Sequence, residues 1–208
     1  MNTPAQRMVA DQLRPNGVTD ERVLEVMAEI PRDEFLPHRM RRHAYEDRAL
    51  AIECGQTISQ PLVVALMTQA ARPQVTDIAL EVGTGSGYQA AILSRLCRRV
   101  ITIEREPALA EHASHTLQRL GFDNVEVAVG DGSLGWPLDA PYNVILVAAA
   151  ASGVPQPLLD ELADAGRMVI PVVTSHAEPQ DLRIYVRRGD HVDHHSLFPV
   201  LFVPLRTG

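Results

Sequence analysis

Residues 78–88 read Ile78-Ala79-Leu80-Glu81-Val82-Gly83-Thr84-Gly85-Ser86-Gly87-Tyr88. A strand-length apolar run breaks into three glycines at alternate positions, and a helical pattern follows over 88–96. This is how a βα unit opens. Downstream the same rhythm repeats. Strands are expected at 78–82, 99–103, 125–129, 144–147, 167–172 and 182–186, with a last one at 197–204 preceded by a loop. Helices are expected over 88–96, 107–120 and 157–162. Strands alternating with helices predict an α/β fold, a mostly parallel sheet of about seven strands covered on both faces. Upstream, apolar residues at helical spacing mark 4–13 and 20–30, with Asp20 as N-cap and Pro31 as stop. A third helix over 61–71 starts at Pro61, with Ser59 or Gln60 at its edge. The expected organisation is one domain, 1–208, with an N-terminal helical, substrate-side cap (1–75) and a ligand-binding sheet (76–208).

Composition narrows the chemistry. The 208 residues are 46% hydrophobic and 22% charged, enough apolar content for one folded domain. Nineteen basic against 26 acidic residues leave a net charge of −7, which argues against a nucleic-acid partner. Every basic residue is arginine, so neither a Schiff base nor the lysine of a phosphate loop is available. Cys54 and Cys97 are too few for a disulfide framework and read as small buried or half-buried residues. His112, His115, His191, His194 and His195 lack a matching carboxylate or cysteine set and read as solvated, so no metal is expected. The apolar run from Val144 to Ala151 is too short for a membrane span, and the N-terminus lacks an apolar signal core. A cytoplasmic protein without a membrane partner is expected.

In a parallel sheet ligands bind outside the carboxyl ends of the strands, so the loops after Val82, Ile103, Val129 and Val147 form one rim. The glycine spacing, Gly83-x-Gly85-x-Gly87, differs from the GxGxxG that receives a pyrophosphate. Glu81, just ahead of it, disfavours an anion and suits a ligand amino group. Glu104, 21 residues after Gly83, ends the second strand of this unit, where a carboxylate can accept both hydroxyls of a ribose. Gly130-Asp131-Gly132 offers a carboxylate and exposed amides to a purine edge. Together these positions describe an adenosine with an amino-acid tail, which points to S-adenosyl-L-methionine. A nicotinamide oxidoreductase is disfavoured by the glycine spacing.

The segments Gly55-Gln56-Thr57-Ile58-Ser59-Gln60-Pro61, Glu81 through Gln89 and Gly130-Asp131-Gly132-Ser133-Leu134-Gly135-Trp136-Pro137 resemble the protein-L-isoaspartate O-methyltransferases. So do Asp20-Glu21-Arg22-Val23-Leu24, Ala44-Tyr45-Glu46-Asp47, Ala165-Gly166-Arg167-Met168-Val169-Ile170-Pro171 and Phe202-Val203-Pro204-Leu205, so the resemblance covers nearly the whole chain. It implies a three-layer, Rossmann-like class I methyltransferase. The activity implied is methylation of the free α-carboxylate of isoaspartyl residues in damaged proteins and peptides. The ester then closes to a succinimide, and S-adenosyl-L-homocysteine is the second product. A carboxylate is already ionised at neutral pH, so positioning rather than base catalysis is expected to dominate. The resemblance assigns Ser59 to orienting the reactants at the methyl and places Thr57 and Ile58 beside them. Glu81, Gly83, Thr84, Gly85, Ser86 and Gly87 are assigned to the cofactor's amino-acid end, Glu104 to the ribose, and Asp131 with Gly132 to the adenine. Trp136 is expected to pack under its loop rather than stack on a base.

The chain departs from the usual family pattern at Ala49, Ala51, Cys54, Leu62, Asn143, Ala148, Ala165 and Arg206. A same-fold carboxyl methyltransferase with a dedicated peptide or small-molecule acceptor is the nearest alternative, and a catalytically silent adaptor for damaged carboxylates is a further one. The expected state is a monomer.

Overall fold

The computed structural model describes residues 2–175 and 179–208. Helix α1 (Pro4–Met8) starts from a Thr3–Gln6 capping box and runs into a π-helical turn over Val9–Leu13. Helix α2 (Glu21–Glu29) is capped as expected by Asp20, whose carboxylate accepts from Arg22 N at 3.0 Å. Val23, Leu24, Val26 and Met27 form its buried stripe, and the helix gives way at Ile30, ahead of Pro31. A small hairpin pairs β1 (Leu50–Ala51) with β2 (Thr57–Ile58), and helix α3 (Pro61–Ala71) follows.

The sheet is then built from β3 (Ile78–Val82), α4 (Tyr88–Leu96), β4 (Arg99–Glu104), α5 (Pro107–Arg119), β5 (Val125–Val129), β6 (Tyr142–Val147), α6 (Gln156–Asp160), β7 (Leu162–Val172), β8 (Gln180–Arg188) and β9 (His191–Val200). Its order is β5-β4-β3-β6-β7-β8-β9, parallel from β5 through β7, with β8 antiparallel to both of its neighbours. Alternate residues of the central strands feed two cores. Leu80, Val82, Ile101, Ile103, Ile145 and Val147 join Leu158 of α6 on one face. Ala79, Val100, Val144 and Leu146 pack under the elements of α1 to α5 on the other. Connections from β3 run to β4 on one side, whereas β6 lies on its other side. The order therefore reverses between β3 and β6, and a crevice opens beyond their carboxyl ends.

Three expectations near the C-terminus need correction. The helix expected over 157–162 covers only Gln156–Asp160, because β7 begins at Leu162, well before 167. Leu162 pairs with Tyr142 and Arg167 with Val144, separated by an irregularity where Ala165 has a positive φ of 57°. The Ala-Asp-Ala-Gly run of 163–166 hides that early pairing from any apolar pattern. The last strand is His191–Val200 rather than 197–204, and it forms a tight hairpin with β8 in which Arg188 pairs with His191 around Gly189-Asp190. Its polar, exposed residues, including His191, His194 and His195, belong to an edge strand with one wet face. The chain beyond it leaves the sheet, and Ala150 N donates to Val203 O while Leu205 N donates to Ala150 O, both at 2.8 Å.

Candidate active site

A cleft of about 1030 Å³, counted with its open mouth, lies in the crevice between β3 and β6. Its floor is the turn after β3. Gly83 N and Thr84 N both donate to Ile103 O, at 2.9 and 3.2 Å, which folds the turn over the end of β4. Gly83 and Gly85 take left-handed φ values of 94° and 52°, which a side chain would disfavour.

Glu81 is buried at 1% exposure and lines the cleft. Thr84 Oγ1 lies 2.6 Å from Thr102 Oγ1, which in turn donates to Glu81 Oε2 at 2.5 Å. Glu81 Oε1 is buried with no partner among the described residues. Burial pushes this carboxyl up to about 8, against the opposing hydrogen bond from Thr102 and with a smaller upward push from Glu104. An unpaired acid oxygen in a cleft wall calls for a cationic or donor ligand group.

Glu104 closes the next side. Its Oε2 accepts from Gly85 N at 2.8 Å and its Oε1 from Glu106 N at 3.1 Å, so its orientation is set before any ligand arrives. Each oxygen keeps acceptor capacity for a ligand hydroxyl. Gly130 and Gly132 add backbone to the wall. Glycine is required at 132, where a Cβ would stand 2.4 Å from Val82 Cγ1.

Opposite the turn, Gln56, Thr57, Ile58 and Ser59 line the cleft from β2 and the approach to α3. Gln60 occupies the N-cap position of α3, but its own side chain does not cap the helix. The cap comes instead from Asp47, whose Oδ1 accepts from Leu62 N at 3.0 Å while Oδ2 accepts from Gln60 Nε2 at 2.8 Å. Ser59 is thereby relieved of capping, and its hydroxyl makes no hydrogen bond to any described residue.

Two expected site residues stand elsewhere. Gly87 is off the cleft wall: it is the left-handed N-cap of α4, and a Cβ there would press on Leu117 at 3.3 Å, so it serves helix packing. Asp131 is also off the wall. Its Oδ1 accepts from Ser133 N and Oγ, and its Oδ2 from Gly208 N at 2.8 Å. Burial opposes its charge, but these bonds and Arg105 outweigh it and hold the carboxyl below its ordinary value. Asp131 thus shapes the turn that presents Gly130 and Gly132. Thr84 and Ser86 are on the wall. Trp136 packs against the core as expected, outside the cleft. Of the departures from the family pattern, Ala148 and Arg206 line the cleft, whereas Leu62 and Cys54 do not; Cys54 is exposed, contrary to expectation, and Cys97 is buried.

Sequence reading missed Tyr88, Gln89 and the tail 202–206, all on the cleft wall. Tyr88 stands inside the quoted motif, at the start of α4, where it is buried while still bordering the cleft. The tail comes to the cleft through its pairing with Ala150, which has no local signal.

The donor set suits an adenosine carrying an amino-acid tail: an unpaired buried carboxyl oxygen for an ammonium, a preset carboxylate for vicinal hydroxyls, and close-approach glycines. A family model described as protein-L-isoaspartate(D-aspartate) O-methyltransferase (PCMT) matches residues 4–208. The chain belongs to this family. A protein-L-isoaspartate O-methyltransferase of Parvibaculum lavamentivorans is 50% identical over 197 residues, covering 94% of this chain and 89% of its own. One of Protochlamydia amoebophila is 50% identical over 198 residues, covering 95% and 94%. A solved protein-L-isoaspartate O-methyltransferase superposes with a TM-score of 0.88 at 28% identity, over 97% of this chain and 66% of that one. A Plasmodium falciparum PCMT crystallised with S-adenosyl-L-homocysteine has a TM-score of 0.85 at 24% identity, over 97% and 98%, and supports the shared class I methyltransferase fold. Among the described residues no cluster of three metal-ligating side chains occurs, and no helix is long and apolar enough to cross a membrane.

Proposed function

We propose that this chain methylates the free α-carboxylate of isoaspartyl residues in damaged proteins and peptides, starting their repair through a succinimide, with S-adenosyl-L-methionine as methyl donor. The observation that carries this reading is one cleft, in a member of this family, with an unpaired buried Glu81 oxygen on one wall and an unengaged Ser59 hydroxyl on another. When bound, S-adenosyl-L-methionine supplies an electrophilic methyl group.

The chain's own residues bind, orient and exclude water. Glu81 receives the ammonium through Oε1, and Thr102, backed by Thr84, holds the other oxygen. Gly83, Gly85 and Ser86 let the backbone run beside the amino-acid tail. Glu104 accepts the ribose hydroxyls on the lone pairs that Gly85 N and Glu106 N leave open. Gly130 and Gly132 form the wall for the adenine. Ile58, Val64, Met67 and Phe202 supply apolar wall that keeps water from the reacting atoms. Ser59 donates its hydroxyl to the acceptor carboxylate and fixes which oxygen faces the methyl; Thr57, exposed at the mouth, contacts the acceptor chain. No base is needed, because the nucleophile is an already ionised carboxylate. Alignment of two bound reactants supplies several kcal/mol, up to roughly 7–11 in ideal cases.

The acceptors are isoaspartyl proteins and peptides, and the net charge of −7 supports a protein that avoids nucleic acid and anionic membrane. A cytoplasmic monomer is the state we propose. Transfer of labelled methyl to paired peptides differing only in aspartate versus isoaspartate tests the reading. Label is expected only in the isoaspartyl peptide. Equal labelling of both peptides would overturn the specificity. No labelling of either, with S-adenosyl-L-homocysteine still bound, would favour the adaptor or dedicated-acceptor alternatives.

A further inference from the structure

Arg32 is the largest side chain that the fold buries completely, at 0% exposure. Its hydrogen bonds go to two backbone carbonyls, from Nε to Ala44 O at 2.8 Å and from Nη2 to Ser59 O at 2.7 Å. The guanidinium also lies over the Tyr88 ring, 4.8 Å from its centroid, and Tyr88 lines the cleft. Neither Nη1 nor the Tyr88 hydroxyl makes a well-formed hydrogen bond to any described residue, although the two lie close enough that the phenol favours the Arg32 charge. Among the described residues no carboxylate pairs with this cation. Asp47 is the acid whose field reaches it, and both Asp47 oxygens are taken by Gln60 and Leu62. Burial lowers the Arg32 pKa, yet a guanidinium keeps its charge in a protein. A buried cation with no carboxylate in contact, met only by Tyr88 and by the field of Asp47, is costly, and such a group needs an explanation beyond packing.

We propose that Arg32 is the counter-charge and positioning residue of the seat that receives the acceptor carboxylate. The proposal rests on the reading that this carboxylate sits at Ser59. Arg32 holds the carbonyl of Ser59 from behind while Asp47 holds Gln60 and Leu62, so the turn 59–62 is clamped on both sides and the Cα–Cβ bond that carries the Ser59 hydroxyl is fixed in place. The positive charge, one layer behind the wall formed by Ser59 and Tyr88, is neutralised when an anionic acceptor arrives. Methylation removes the acceptor's charge, so the ester loses that attraction and leaves more readily. A charge acting on the anionic ground state more than on the partly neutralised transition state shows in acceptor affinity. The clamp shows in kcat through Ser59.

The test uses Arg32→Gln, which removes the charge, and Arg32→Lys, which keeps it but cannot fork between two carbonyls. With S-adenosyl-L-homocysteine present, calorimetry measures Kd for an isoaspartyl peptide and for the same peptide with its α-carboxylate made a carboxamide. Arg32→Gln should weaken the carboxylate peptide about ten-fold, the scale of a screened charge at this depth, and the carboxamide peptide less than two-fold. Kd for S-adenosyl-L-homocysteine should stay within two-fold in both variants. Arg32→Lys should lower kcat several-fold in the wild-type background and less than two-fold in a Ser59→Ala background, because there is then no hydroxyl left to aim. An unchanged carboxylate-to-carboxamide ratio in Arg32→Gln overturns the counter-charge. Equal losses of kcat in both backgrounds reduce Arg32 to a structural strut and overturn the positioning role. Should Arg32→Gln fail to fold, Arg32→Met, which also removes the charge, takes its place in the peptide calorimetry, and the Arg32→Lys cycle decides the positioning role. A Ser59→Ala enzyme within two-fold of wild type in kcat is a separate result, which removes the seat from Ser59 itself.

Discussion

Replacing Glu81 by glutamine removes a buried charge while keeping the side chain's shape, and should move stability and cofactor affinity in opposite directions. The folded carboxyl sits at about 8, against an ordinary value of 4.5. Between those values the folded chain holds a proton that the unfolded chain has released, so this group's contribution to stability falls as pH rises through that window. By pH 8 the penalty is of the order of several kcal/mol, at about 1.4 kcal/mol for each unit. Glutamine carries no such penalty and still accepts from Thr102. The variant should therefore unfold several degrees above wild type at pH 8, the gap narrowing toward pH 5.

Binding runs the other way. An ammonium on Oε1 requires the ionised acid, so wild-type affinity should rise about ten-fold per unit up to about pH 8 and then level, one proton leaving per ligand bound. Glu81→Gln should lose this dependence and bind roughly ten-fold or more weakly at pH 8.5, through loss of a charge-assisted hydrogen bond worth about 1.5–3 kcal/mol. Calorimetry of S-adenosyl-L-homocysteine from pH 6 to 8.5, in two buffers of different ionisation enthalpy, counts the protons. The ligand's own amino group titrates alike with both proteins and cancels in the comparison. Identical proton release in the two, or a variant less stable than wild type at pH 8, would mean that Glu81 is not the acid that meets the ammonium.

Glu104→Ala should leave the fold intact, since the two amides it frees border the cleft and can take water, and should weaken S-adenosyl-L-homocysteine by ten-fold or more in the same calorimetric assay. A Kd within two-fold of wild type would move the ribose elsewhere. Gly132→Ala drives a Cβ to 2.4 Å from Val82 Cγ1, an overpacking that should cost roughly 1–3 kcal/mol and lower Tm by several degrees in a thermal melt. A Tm unchanged within one degree would mean that the 130–135 turn yields freely.

Much of the sheet and half of the cleft are encoded in local pattern. The run Ile78–Val82 with its glycines, the near-continuous apolar strands β4 and β6, and the capped stripe of α2 carry their own periodicity, and Glu81 and Glu104 sit at fixed offsets from a strand end, so the cleft's two acids were legible. Strands whose pairing is non-local were not: the start of β7 is an Ala-Asp-Ala-Gly run held by Tyr142, and β9 is an edge whose polar face imitates a loop. The tertiary structure alone decided which polar groups have partners. Asp131 looked like a ligand group, but Ser133 and Gly208 occupy it. Ser59 looked like a helix cap, but Asp47, far upstream in the chain, does the capping and leaves its hydroxyl unengaged. Arg32 carries no mark in the sequence, yet it is wholly buried against Ser59 and Tyr88. The Ser133 contact to Asp131 is local, but the contacts to Gly208, Asp47, Ser59 and Tyr88 join different elements, so no periodic pattern reports them.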